Sequence, residues 1–159
     1  MVVLKGIAWR LARVQALPAG DRWRLVLAGV GLPVNALGVR LFGLRRWMGF
    51  VERAGRWPSG PRTPAGDLTQ ALATGRVVAI ASRHSLYPGN CLSRSLTLWW
   101  LLLVQGIRSD LRIGVTRQPG QFAAHAWIEY QGTVLNDRQD VGRRYSTFDR
   151  PINSAVRFV

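Results

Sequence analysis

With 159 residues, 48% of them hydrophobic, the chain has the length and apolar content of one folded domain and not of a disordered segment. Its net charge is +14, and every basic residue except Lys5 is an arginine. Such a charge attracts phosphate, anionic lipid or acidic peptide; no nucleic-acid recognition motif accompanies it, so nucleic acid is not an expected partner.

Arg10 and Arg13 fall where the apolar core of a secretory signal would continue, so none is expected. Residues 2–16 read as a helix with those arginines outward. "LPAGD" (17–21) is a turn, with Asp21 placed to cap the next helix. That helix spans about 22–43 and bends at Pro33. Its stretch 25–44 is long enough to raise the question of a membrane. Pro33, Asn35 and Arg40 lie inside it, and Arg22, Arg24, Arg45 and Arg46 flank it. A buried helix, or one lying on a membrane surface, fits that pattern better than a span. "LRRWMGFVERA" (44–54) is a short third helix or a continuation. "GRWPSGPRTPAG" (55–66) holds three prolines and three glycines and is the best linker in the chain. It divides a basic helical extension, 1–60, from a second region, 61–159.

"DLTQALATGRVVAIAS" (67–82) reads as a helix capped at Asp67, although Gly75 weakens it. "RHSLYPGN" (83–90) is a loop ending in Asn90, a good N-cap. From Cys91 to Gln105, apolar positions 92, 96, 99, 100 and 103 recur at helical spacing, and Gly106 supplies the stop. This should be the central buried helix. The period then changes to two. "DLRIGVTR" (110–117) and "FAAHAWIEY" (122–130) read as strands around a "QPGQ" turn, and "TVLND" (133–137) as a third. The remainder from Arg138 is weakly patterned, apart from a possible edge strand in the closing "RFV".

The single cysteine, Cys91, excludes an internal disulfide and fits a reducing cytoplasm. Most free cysteines are small buried hydrophobes. Cys91, however, follows an N-cap, where unpaired N–H groups and the helix dipole favour negative charge, and the thiolate is the reactive form. A cysteine nucleophile needs a base, and the base an orienting group. His84 lies in a loop. His125 lies in a strand, and the next strand ends in Asp137. If the hairpin loop is Tyr130-Gln131-Gly132, Glu129 faces Thr133 and His125 lies opposite Asp137. A two-residue loop would turn Asp137 away. The Cys91 amide is a natural oxyanion donor; Asn90 and Tyr87 are candidates for a second. Trp127 shares the face of His125 and is either a wall of the cleft or core. No metal or cofactor is called for.

"NCLSRSLTLWWLLLVQGIRSDLRIGV" followed by "FAAHAWIEYQGTVLND" resembles the transglutaminase-like cysteine proteases of lasso-peptide biosynthesis. That family carries, in this order, a Cys-Leu-x-x-Ser-Leu helix, a Gly-Ile turn, an Arg-Ile-Gly-Val strand, a His-Ala-Trp strand and an aspartate. The likeness is close over 91–137 and loose over 67–90, and "LPAGDRWRL" is similar to the family's N-terminal extension. It implies an α+β papain/transglutaminase-like core, with the cysteine helix packed on a small antiparallel sheet behind a helical extension. It also implies Cys91 as nucleophile, His125 as base and Asp137 as orienting acid. The implied activity is removal of the leader from a ribosomally made precursor peptide, whose core a separate ATP-dependent cyclase then closes. The leader-recognition element of that family is winged-helix-like; the first 60 residues read as helices only, so it is expected as a separate partner chain. The location implied is cytoplasmic, with attachment to a membrane surface an option. Two other readings stay open: an acyltransferase on the same triad, and a non-catalytic basic adaptor of the same fold.

Overall fold

The computed structural model describes residues 19–55, 64–85, 89–116 and 123–147. The expected 2–16 helix, most of the 55–66 linker, Tyr87, the 118–121 turn and the closing strand lie outside them. The first described helix, α1, spans Ala19–Phe42. It already includes Asp21, which therefore sits within a turn of the helix instead of capping it. Pro33 stands inside α1 without ending it, on the exposed side, where water can serve the carbonyl that loses its N–H partner. Gly43, at φ 75°, ends α1, and α2 follows as a separate helix, Leu44–Gly55.

The third helix, α3, runs Pro64–His84, longer at both ends than the sequence pattern indicates. Proline is pre-set for a first helical position, and Asp67 favours the dipole from within the first turn instead of capping. His84 closes this helix and is exposed.

Both ends of α4, Cys91–Val104, follow the sequence expectation. Asn90 Oδ1 accepts the Ser93 amide at 2.8 Å. At the other end Gly106 adopts φ 73°, its amide donates to Leu103 O at 2.9 Å, and the Ile107 amide donates to Leu102 O at 2.8 Å. Those two bonds satisfy carbonyls the helix would otherwise leave open.

Four antiparallel strands follow: β1 Asp110–Thr116, β2 Ala124–Tyr130, β3 Thr133–Val134 and β4 Tyr145–Thr147. A short helix, α5 (Val141–Arg144), precedes β4, and the sheet order is β3-β2-β1-β4. The third strand is shorter than the 133–137 expected. Gln139 satisfies its outer edge with a side chain: Gln139 Nε2 donates to Val134 O at 2.8 Å, and the Val134 amide donates to Gln139 Oε1 at 3.1 Å.

The main core lies between α4 and the inner sheet face. Leu96, Leu98, Leu101 and Leu102 of α4 are buried there with Leu111, Ala126 and Ile128 of the strands. Ala28 and Leu32 of α1 and Met48 and Val51 of α2 belong to the same core, so the helices before residue 60 are built into one packing unit with those after it. Trp127, Val134 and Val141, with Tyr145 against them, form a smaller core on the opposite sheet face. The papain-like α+β core with helices ahead of it is therefore present as expected.

One buried polar network holds the first helices to α4. Asn35 Nδ2 donates to Gly31 O at 2.9 Å and Thr97 Oγ1 at 3.1 Å, and Asn35 Oδ1 accepts Trp47 Nε1 at 2.8 Å. Losing the Asn35 side chain leaves Trp47 Nε1 without its acceptor and breaks the tie to Thr97; an unsatisfied buried group costs about 1–3 kcal/mol and the cavity adds to it, whereas losing an N-cap costs about 1 kcal/mol. Asn35→Ala is therefore expected to lower the unfolding free energy by more than Asn90→Ala does, as urea titration followed by tryptophan fluorescence would measure.

Candidate active site

Cys91 occupies the first position of α4, half-buried beside the main core and not sealed within it. The N-cap bond from the Ser93 amide to Asn90 Oδ1 fixes the start of the helix and hence the origin of the thiol. Asn90 itself is exposed and its side-chain oxygen is committed to that cap.

His125 stands near the start of β2, where Gly114 of β1 is its cross-strand neighbour. Two aromatic rings back the imidazole: Tyr145 stacks at 5.0 Å between centroids and Trp127 at 6.1 Å. A side chain at position 114 would collide with this arrangement. A Cβ there would lie 2.9 Å from Tyr145 Cβ and 3.1 Å from Trp127 Cη2. Glycine in the Arg-Ile-Gly-Val strand thus makes room for the rings behind His125. Trp127 is fully buried, donates Nε1–H to Glu129 Oε1 at 2.8 Å, and supports the histidine from the small outer core without lining the cleft.

The hairpin register differs from the sequence reading, yet Asp137 still reaches His125. Tyr130 pairs with Thr133 and Glu129 with Val134, so the loop is the two residues Gln131-Gly132, at φ 49° and 79°. Consecutive left-handed residues suit the right-handed twist of a tight hairpin. Continued regularly, this ladder would set Asp137 opposite Ala126 and facing away from the histidine. The chain leaves the ladder first. The Leu135 amide still donates to Ile128 O at 2.9 Å, but the return bond from the Ile128 amide goes to the Asn136 side chain, at 2.8 Å. Asn136 Nδ2 donates to Ser95 Oγ at 2.9 Å, and Ser95 Oγ–H donates to Ala126 O at 2.9 Å. A side chain replaces backbone in the ladder, the chain bends, and the next residue turns back to the histidine.

His125 Nε2–H donates to Asp137 Oδ2. Asp137 Oδ1 accepts the Arg138 amide at 2.6 Å and Arg144 Nη2 at 3.0 Å. Burial by itself pushes this carboxyl up. The Arg138 amide, the His125 hydrogen bond and the charges of His125 and Arg144 together outweigh it and hold the group below its ordinary value of 3.8. An ionised carboxylate can only accept, so the geometry assigns the Nε2 proton to the histidine and leaves Nδ1 as the other ring nitrogen.

Cys91, His125 and Asp137 line one small cleft together with Gly75, Arg94 and Asn136. Gly75 has a direct reason to be glycine. A Cβ there would lie 2.6 Å from Leu135 O, so α3 approaches the bent segment backbone to side-chain-free backbone. Sequence reasoning did not find Asn136, Arg144 or Tyr145. The Gly75 interruption of an otherwise helical pattern was the available signal that something packs against α3 there.

The family model of the transglutaminase-like superfamily matches residues 36–149, which takes in all three candidate residues. The chain belongs to the transglutaminase-like superfamily. No curated protein and no solved structure matches it. Members of this superfamily are usually cysteine-dependent enzymes, so a cysteine protease or acyltransferase type of chemistry is the activity class that goes with the fold. The match begins within α1, ahead of the 55–66 linker.

Two measurements check this site's construction. The lowered native value of Asp137 adds stability that is complete above the ordinary carboxyl range near 3.8 and is lost as pH falls through the native value. The stability margin of the protein over Asp137→Asn should narrow as pH falls below about pH 4, as thermal unfolding against pH would record. Gly75→Ala gains about 1 kcal/mol in helix propensity, yet it meets the Leu135 carbonyl. Net destabilisation in urea is expected, and a gain in stability would refute the close approach.

Proposed function

We propose that Cys91, His125 and Asp137 act as nucleophile, base and orienting acid, and that the protein cleaves the leader from a lasso-peptide precursor. The observation that carries the reading is one cleft lined by a cysteine at a helix N-terminus and by a histidine hydrogen-bonded to a carboxylate. Membership of the transglutaminase-like superfamily and the Cys-Leu-x-x-Ser-Leu, Arg-Ile-Gly-Val and His-Ala-Trp motifs support it.

In this mechanism the Cys91 sulfur, its proton passed to His125 Nδ1, attacks the carbonyl carbon at the leader–core junction. The Cys91 amide at the start of α4 donates to the developing oxyanion. The C–N bond breaks, His125 returns the proton to the leaving amine of the core peptide, and the leader stays on Cys91 as a thioester. His125 then takes a proton from water, hydroxide adds to the thioester carbonyl, the carbon–sulfur bond breaks, and His125 returns the proton to the departing Cys91 sulfur. The products are a leader with a free carboxylate and a core peptide with a free amine. Asp137 keeps the imidazole tautomer fixed throughout. The leader-recognition element acts as a separate chain, and the freed core peptide passes to an ATP-dependent cyclase.

The test incubates protein and precursor, with the recognition partner present, and follows products by mass. Cys91→Ala should abolish cleavage, and Asp137→Asn should lower kcat by about 100- to 10,000-fold. Undiminished cleavage by Cys91→Ala rejects the nucleophile. A product that carries an added amine in place of a new carboxylate converts the reading to acyl transfer on the same residues.

A further inference from the structure

The outer side of α1 carries an apolar stripe with no counterpart in the core. Trp23, Val26, Val30, Val34, Leu37 and Leu41 recur at three- and four-residue spacing and are 46–65% exposed. At about 1.5 Å per residue the stripe is roughly 27 Å long. It runs into Phe42, beyond which Phe42, Trp47 and Phe50 stack in succession at 6.0 and 5.4 Å. These rings line an open groove of about 700 Å³ together with Arg45, Arg46 and Arg53. The stack is anchored from below, because Trp47 donates to the buried Asn35.

From this face we infer that the protein docks on the surface of an anionic bilayer, with α1 lying in the interface plane. Three observations select this occupant. First, the apolar stripe is exposed along one side of a single uninterrupted helix, suited to an acyl surface. Second, the groove's arginines sit against aromatic rings, and Arg22 and Arg40 lie exposed along α1; arginines bury their stems beside apolar surface and hold their charge at headgroup level, where aromatic rings also collect. Third, the first 66 residues carry eleven basic residues against two acids, the sign that a phosphate-bearing surface requires. The helix is long and apolar enough to cross a membrane. Its other side, however, is committed: Ala28 and Leu32 belong to the main core and Asn35 is hydrogen-bonded to Thr97 of α4. Crossing would pull those groups out of the fold; lying flat uses the two sides at once. The inference is independent of the catalytic reading, since it uses none of the cleft residues.

Flotation with phosphatidylglycerol/phosphatidylcholine vesicles tests it, on the full chain carrying Cys91→Ala so that catalysis plays no part. The protein should float with phosphatidylglycerol vesicles at low salt, and should float at least about tenfold less with pure phosphatidylcholine or at high salt. Val30→Asp/Leu37→Asp, at exposed positions, and separately Arg45→Glu/Arg46→Glu/Arg53→Glu, should each weaken flotation at least about tenfold while circular dichroism stays unchanged. Absence of flotation with phosphatidylglycerol vesicles overturns the inference, as does flotation that neither variant changes. Sedimentation showing that the wild-type chain self-associates and that Val30→Asp/Leu37→Asp is monomeric would give the face to a second copy instead, and would equally overturn it.

Discussion

The candidate site depends on one exchange of hydrogen-bond partners. At Ile128 the sheet ladder offers an amide that should meet the carbonyl of Leu135, and the Asn136 side chain takes it instead. Strand geometry alternates side chains between faces without exception, so a hairpin with this two-residue loop would send Asp137 away from His125. Substituting side chain for backbone ends the alternation one residue before it would do harm. Ser95 of α4 completes the device by accepting from Asn136 and donating to Ala126 O. The helix that begins with Cys91 therefore also fixes the segment that presents Asp137, and the three candidate groups share a common frame.

Much of this was legible in the residues. Asn90 and Gly106 delimit α4 because a cap and a left-handed stop are local events, written within a few residues of where they act. The change from helical spacing to alternation marks β1 and β2 because each has one face on the core. The pairing of His125 with Asp137 was also expected, but for a reason that did not hold. It was derived from a three-residue loop, and the loop has two. Gln131 tolerates φ 49°, an uncommon state for a residue other than glycine, asparagine or aspartate. A Gln-Gly sequence does not announce it. The compensating bend at Asn136 depends on Ser95, forty-one positions earlier, and no local pattern could reveal it.

The segment after Arg138 was harder still. Tyr145 belongs to a three-residue edge strand that pairs with β1, and only Tyr145 of that strand is even half-buried. Too few positions repeat for any period to register. The start of α3 differs from the expectation for a related reason: Asp67 is a good cap by residue type, but a first-turn acid satisfies the dipole equally well, and composition does not separate the two.

Gly114 leads to a consequence about solvent. Because that position on β1 carries no side chain, Tyr145 and Trp127 can close over one flank of the imidazole, which retains only about a fifth of its exposure. The covered flank is closed to reactants, and its edge nitrogen Nε2 is occupied by Asp137. The imidazole also lines the cleft that Cys91 lines. A missing methyl group in a neighbouring strand thus shields one flank of the imidazole from solvent.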